Sequence, residues 1–443
     1  MSRHRHGEIA PERAPRADVT IDDLDTEGRG VGRVGGKVVF VDGALPGESV
    51  RARYTRRGRR YDEAVLERRL GGSADRVEPF CPAYGRCGGC TLQHLAASAQ
   101  VAQRQRRLAR QLAREGAGEP RHWLDPLRGP ESRYRTRARL AVRFLPGRGV
   151  LLGFRERGGR RVADIDDCPV LRPALARLIG PLKALVASLS RPDRVPEVEL
   201  CAGDDDAAAV VTFAARPTAA DRERLLAFGR DHHVAIETRG RAGDGPVDPD
   251  RPAELAYALP REGVTLGFTA ADFVQANPAV NRGLVALAME LLAPAPGSRV
   301  VDLYCGIGNF ALPAARRGAR VTGLEGDRGL VRRARANARA NGLEDRARFE
   351  TADLREAPGR WLQQVAPDRV LLDPPREGAA EAVAALVSAP PSRVVYVSCD
   401  EATMARDIAR LVREGGYCLE ASGVADMFPH TGHVESIAWL ERR

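Results

Sequence analysis

The chain has 443 residues, 43% of them hydrophobic, and a formal net charge of +10. That length suits two or three domains with packed cores, and no apolar run of about 18 residues is present to form a membrane span. The N-terminus (MSRHRHGEIAPERAPR) lacks the apolar h-region of a secretory signal, so the expected location is cytoplasmic. The basic surplus suits a polyanionic partner, but with Lys37 and Lys183 the only lysines the arginine richness is weak evidence by itself.

In chain order, residues 1–17 read as a disordered basic tail. Residues 18–70 alternate apolar and polar positions between Gly-rich turns. The predicted strands are Val19–Leu24, Gly30–Val34, Lys37–Val41, Ser49–Arg57 and Tyr61–Leu70. Five short strands suggest an OB-like barrel with a nucleic-acid-binding face. Arg51, Arg53, Arg56, Arg57, Arg59 and Arg60 are either part of that face or a solvated edge.

Residues 71–262 read as a mixed α/β middle region. It opens with a Gly/Pro-rich loop carrying Cys81, Cys87 and Cys90, followed by a polar helix near Leu95–Gly116. Strands follow from Thr136, Gly149 and Arg161, then a helix over Pro173–Ser190 and a hairpin turning at Gly203–Asp206. Gly240–Pro252 has the composition of an exposed loop. Residues 263–443 alternate strands with helices, which predicts a doubly wound parallel sheet with ligand sites at the strands' carboxyl ends. The last two strands predict an antiparallel ending, a habit of S-adenosylmethionine-dependent methyltransferases.

Several constellations carry chemistry. In Asp302-Leu-Tyr304-Cys-Gly306-Ile-Gly308-Asn309 the glycines let backbone approach a ligand where a helix opens. Glu325 ends the next strand, where it can accept ribose hydroxyls, and Asp353 ends the third, where it can hold an adenine amino group. The dinucleotide spacing is absent, which favours a methyl donor over NAD. Asp373-Pro374-Pro375-Arg376 is a rigid turn aimed at the same pocket, and its arginine argues against an amino substrate.

Cys399 falls at the rim of the fifth strand. Carbon 5 of uracil is too weak a nucleophile to take a methyl group until a thiolate adds at carbon 6, and cysteine suits that step. Glu435 is the candidate base for the carbon 5 proton. Taken singly, Cys399 is more often a buried structural thiol and Glu435 a surface carboxylate, so position and pairing carry the case. Phe273-Val-Gln275-Ala-Asn277 offers an aromatic and two amides to a flipped base or the donor, or is a core aromatic beside a capped turn. Cys81, Cys87, Cys90 and the distant Cys168 suit zinc or an iron–sulfur cluster, with His94 as a zinc-type alternative. Spacing leaves the metal open.

Together the motifs CPAYGRCGGC, YRTRARL, GFRERG, FVQAN, DLYCGIGNFALP, LLDPPREG, YVSCDEATMARD and DMFPHTGHVES, behind EGRGVGRVGGKVVFVDGALPGE, resemble the RumA-type 23S rRNA uracil-C5 methyltransferases, relatives of the TrmA-type tRNA enzymes. The resemblance runs over nearly the whole chain from residue 18. It implies an N-terminal TRAM module, a middle region that binds a [4Fe-4S] cluster through Cys81, Cys87, Cys90 and Cys168 and positions RNA, and a C-terminal Rossmann-like methyltransferase domain. It further implies Cys399 as nucleophile, Glu435 as base, and Gln275, Tyr304, Asn309, Glu325, Asp353 and Asp373 at donor-binding positions. The RNA expected is 23S rRNA, with no membrane and no obligate protein partner. The alternatives are a tRNA uracil-C5 enzyme and a non-catalytic iron–sulfur RNA-binding protein. The chain departs from the family in having Asp400-Glu401 where Asn-Pro usually follows the nucleophile. Tyr304 also replaces a common phenylalanine, and Asp353 an asparagine found in many relatives. Asp400 is expected to raise the thiol pKa through its charge.

Overall fold

The computed structural model describes residues 14–356 and 358–442, so residues 1–13 of the expected tail lie outside the described residues. Among the described residues no helix is long and apolar enough to cross a membrane. The chain divides into two compact units, Met1–Gln103 with Phe428–His433, and Arg104–Met427 with Val434–Arg443.

The first unit is built on a closed five-stranded barrel of β1 (Arg16–Leu24), β2 (Gly30–Val34), β3 (Lys37–Asp42), β4 (Ser49–Arg57) and β5 (Tyr61–Arg69), ordered β1-β2-β3-β5-β4. Neighbouring strands are antiparallel except β3 and β5. Strand β1 starts inside the stretch expected to be tail because Arg16 to Thr20 pair residue for residue with Arg53 to Ser49, closing the barrel. The period-2 alternation turns Val19, Ile21, Val39, Val41, Val50, Ala52, Tyr54 and Ala64 inward as one core. Below it Glu48 is fully buried. Arg76 donates to Glu48 Oε1 from Nε (2.6 Å) and to Oε2 from Nη2 (2.8 Å), and Leu45 N–H donates to Oε2 (2.9 Å). Burial pushes the Glu48 carboxyl up, but these bonds outweigh it and hold the pKa below its ordinary value.

The second unit contains two large sheets. Strand β6 (His122–Trp123) joins the last sheet. The other sheet runs β13-β12-β11-β10-β7-β8-β9, from β7 (Arg137–Leu145), β8 (Gly149–Arg155), β9 (Val162–Asp164), β10 (Glu197–Ala202), β11 (Ala207–Phe213), β12 (Ala235–Gly240) and β13 (Gly245–Pro246). The pair β11/β12 is parallel, so the chain crosses over between them through the helix Ala219–Asp231. That helix begins with a reciprocal cap, in which Asp221 N–H donates to Thr218 Oγ1 and Thr218 N–H to the Asp221 carboxylate.

A hairpin of β14 (Leu255–Leu259) and β15 (Val264–Phe268) leads to the helix Pro278–Leu292 and the catalytic sheet. Its strands are β16 (Arg299–Leu303), β17 (Arg320–Glu325), β18 (Ala347–Thr351), β19 (Arg369–Leu372), β20 (Arg393–Ser398), β21 (Tyr417–Ala425) and β22 (Glu435–Arg442). The order is β18-β17-β16-β19-β20-β22-β21-β6. Strands β16 to β20 are parallel, while β22 lies antiparallel to both β20 and β21. The strand order reverses beside β16, between its neighbours β17 and β19, and the carboxyl ends there open the ligand crevice of such sheets.

Candidate active site

Strand register brings the reacting groups together. Ser398 on β20 pairs with Ser436 on β22, so the next step along this antiparallel ladder sets Cys399 beside Glu435. On the other side Leu372 of β19 pairs with both Tyr396 of β20 and Leu303 of β16. Asp373 and Tyr304 therefore leave adjacent strand ends, and Asp373 N–H donates to Leu303 O (3.3 Å).

The environment of these groups is apolar and acidic. Glu435 is 2% exposed, and among the described residues its Oε1 has no hydrogen-bond partner. Burial, reinforced by the charge of Asp373, raises its pKa well above the ordinary 4.5. Burial likewise pushes Asp373 up to about 7. The Cys399 thiol is pushed up to about 11, by burial first and then by Glu435 and Asp373, with Arg376 acting the other way. Asp400 is not among these causes. Its carboxylate caps the helix Glu401–Gly415, accepting from Ala402 N–H (3.1 Å) and Thr403 N–H (3.0 Å). The larger causes of the raised thiol are thus burial, Glu435 and Asp373, while Asp400 serves as the helix cap. Glu401 is nearly buried and bound by Arg107, and Arg104 pairs with Asp426 in a buried ion pair (2.6 Å).

The Gly-rich turn lies at the end of β16. Gly308 has φ +96°, a conformation that favours glycine. Glu325 holds this turn, accepting from Gly306 N–H (3.2 Å) through Oε2 and from Asp327 N–H (2.9 Å) through Oε1. Beneath the turn Asp302 is 1% exposed and neither carboxylate oxygen has a hydrogen-bond partner among the described residues. Burial and the charges of Asp373 and Glu325 raise its pKa well above 3.8. Asp302 opens the Gly-rich constellation in the sequence, but its burial without a hydrogen-bond partner among the described residues was not foreseen.

The other expected donor residues are placed unevenly. Tyr304 adopts φ +65° at the rim, its hydroxyl pushed up to about 12 by burial and the surrounding acids. Asn309 has its side-chain amide engaged, accepting from Tyr257 Oη (2.9 Å) and exchanging bonds with Asn281 (3.1 and 3.0 Å). Asp353 stands two residues beyond the end of β18, exposed and paired with Arg355 (3.1 Å). Gln275 is half-buried on a clamped segment. Thr136 donates from N–H (2.9 Å) and Oγ1 (3.1 Å) to Ala276 O. Arg137 donates to Ala270 O (2.6 Å), Asp272 O (2.6 Å) and the buried Glu199 (2.7 Å). Phe273, 69% exposed, lines a cavity of about 590 Å³ with Asp327, Arg332 and Arg333.

Cys81, Cys87 and Cys90 lie on one turn-rich loop of the first unit, and Cys168 lies in the second. No disulfide joins them. Cys87 Sγ accepts from Gly89 N–H (3.4 Å), and burial, with a contribution from Cys81, pushes its thiol up. His94 is buried with Nδ1 against Tyr84 Oη, so that nitrogen is committed within the loop. Among the described residues no three His, Cys, Asp or Glu side chains gather closely enough to hold a metal ion.

A TRAM-domain model matches residues 16–65, and a model described as tRNA (Uracil-5-)-methyltransferase matches residues 261–443. The 23S rRNA (uracil(1939)-C(5))-methyltransferase RlmD of Azoarcus sp. (strain BH72) is 47% identical over 95% of this chain and 99% of its own length. Its counterpart in Bordetella parapertussis is 46% identical over 96% of this chain and 92% of its own. The chain belongs to the RNA uracil-C5 methyltransferase family. The crystal structure of Pyrococcus abyssi tRNA (uracil-54, C5)-methyltransferase with S-adenosyl-L-homocysteine superposes with a TM-score of 0.73 at 26% identity, over 96% of this chain and all of that one. The family's donor, S-adenosylmethionine, is cationic at its sulfonium and ammonium, and Asp302, Glu325 and Asp373 lie close enough to one another for their charges to interact, which makes this end of the sheet acidic. The orphaned carboxylate of Asp302 is a buried acceptor of the kind a bound cation satisfies.

Proposed function

We propose that this protein transfers a methyl group from S-adenosylmethionine to carbon 5 of a uracil in 23S rRNA in the cytoplasm, at the uridine its relatives' names carry. The observation that carries the reading is the ladder step that sets Cys399 beside a buried, hydrogen-bond-poor Glu435. The Cys399 thiolate adds to carbon 6 of the uracil, and the ring's electrons pass to carbon 5 and oxygen 4. The donor would supply an electrophilic methyl to carbon 5, its carbon–sulfur bond breaking to release a neutral thioether. Glu435 as carboxylate then removes the carbon 5 proton, and the carbon 6–sulfur bond breaks to restore the thiolate. Burial and like charge leave Asp373 and Glu435 short of full ionisation at neutral pH. Asp373, ionised in part at neutral pH, takes the thiol proton when RNA arrives, so that Glu435 remains the carboxylate that removes the carbon 5 proton. Tyr304, Glu325, Asp353 and Gln275 form the donor and base surroundings, and Asn309 shapes them through its bonds to Tyr257 and Asn281. The barrel's arginine-rich strand grips RNA, a role supported by the TRAM match.

The loop thiols Cys81, Cys87 and Cys90, with Cys168, would hold a [4Fe-4S] cluster. Support comes from the soft donor set and the backbone N–H directed at Cys87 Sγ. The cluster's part is to order the loop for RNA, and the methyl transfer above uses none of its electrons. The test is incubation with 23S rRNA and labelled donor beside Cys399→Ala. 5-Methyluridine from the wild type alone supports the proposal, and methylation by the variant refutes the covalent route.

A further inference from the structure

The helix that follows Cys399 grips the loop that follows Asp373. Thr403, Arg406 and Asp407 share one face of Glu401–Gly415 by their three- and four-residue spacing. Thr403 Oγ1 donates to Arg376 O (3.1 Å), and Arg406 Nη2 donates to Glu377 O (3.1 Å). Asp407 Oδ2 accepts both Ala379 N–H (2.7 Å) and the hydroxyl of Tyr396 on β20 (2.7 Å). Its Oδ1 accepts Arg406 Nε (2.9 Å) and Nη2 (2.8 Å). Asp407 is 2% exposed and Tyr396 fully buried. Gly378 sits at φ +81°, where a Cβ would stand 2.5 Å from the Arg406 guanidinium and 2.8 Å from the Asp407 carboxylate. The turn is therefore shaped to this helix face.

We propose that Asp407 is a positioning residue for methyl transfer, its carboxylate bolting the Asp373 loop to the strand that ends in Cys399. One oxygen joins the two elements: Ala379 closes the loop that carries Asp373 and Arg376, and Tyr396 stands three residues before the nucleophile. If the bolt is lost, the thiol shifts relative to Asp373 and Arg376, two of the charged groups that act on it after burial and Glu435. A carboxylate that only stabilised the helix needs no partner on both catalytic segments. This inference rests on the reading of Cys399 as nucleophile.

The test compares full-length wild type, Asp407→Asn and Tyr396→Phe, each below its melting temperature. Two quantities are read: the rate of covalent adduct formation with 5-fluorouracil-substituted ribosomal RNA in the presence of S-adenosylmethionine, and the Kd for S-adenosylmethionine. Small misplacements of reacting groups cost up to about 100-fold in rate, so adduct formation should slow roughly 10- to 100-fold in Asp407→Asn and several-fold in Tyr396→Phe. Donor Kd should stay within about twofold. Unchanged adduct rates overturn the proposal even if both variants melt earlier, since that is how a structural group behaves. An equal loss of donor affinity also overturns it, by assigning Asp407 to the donor pocket. If Asp407→Asn does not fold, Tyr396→Phe decides alone, because it keeps the ring and removes one bond. A wild type that forms no adduct refutes the Cys399 reading and this inference with it.

Discussion

Glu435→Gln removes a charge and a proton acceptor while keeping the side chain's shape. Burial is the largest cause of the raised Cys399 thiol, which this change leaves in place, and the charge of Glu435 is the second. The whole displacement, from 9.0 to about 11, means roughly 100-fold less thiolate at mildly alkaline pH, at tenfold per unit. Removing only the Glu435 share should restore part of that thiolate, leaving in place the larger part that burial suppresses. Iodoacetamide labelling of Cys399, followed by peptide mass spectrometry across about pH 7 to 11, should therefore show a lower midpoint in the variant. With RNA and donor the same variant should accumulate covalent adduct and release little 5-methyluridine, having lost its base. A stability signature follows as well. A carboxyl whose folded pKa lies above its ordinary 4.5 keeps a proton that the unfolded chain has released. Stability is then highest below about pH 4.5 and falls as pH rises towards the folded pKa. The decline in Tm between mildly acidic and mildly alkaline pH should be shallower in Glu435→Gln. A folded variant with the wild-type labelling midpoint and full product release would show that the ladder neighbours do not interact as argued.

In the barrel, Arg76→Ala strands a fully buried carboxylate and should cost about 3–5 kcal/mol in urea unfolding, and a loss under about 1 kcal/mol would mean Glu48 finds water instead. Because the Glu48 pKa is held low, its contribution is present above the ordinary carboxylate pKa and fades as pH falls through the folded value. Arg137→Lys gives up the fork that holds Ala270 O, Asp272 O and Glu199. It should lower kcat/KM for RNA methylation by roughly 10- to 100-fold, and unchanged kinetics would mean Thr136 suffices to hold Gln275. Anaerobically purified protein should be brown and contain iron and sulfide, while Cys87→Ser should lose most of both. A colourless wild type that binds zinc would replace the cluster with a zinc site.

The rim placement of Cys399 and Glu435 was legible because strand order on an α/β sheet implies which residues reach its carboxyl edge. The antiparallel register that makes them neighbours was legible only as a pattern of two terminal strands. Other features were hidden for specific physical reasons. Asp400 read as a charge beside a thiol, and its role as cap of the helix Glu401–Gly415 was not read, although a helix start offers unpaired N–H groups within one or two residues. Asn309 read as a ligand residue, and its bonds to Asn281 on the helix Pro278–Leu292 were hidden because a turn residue pairing with a helix leaves no periodic trace. Strand β6 is two residues long and carries no pattern at all. Asp302 and Asp407 are both buried acids with opposite fates, one left without a partner and one bound by three groups. Residue type and spacing do not separate them. What does is the packing around each, which supplies Asp407 with three donors and Asp302 with none among the described residues.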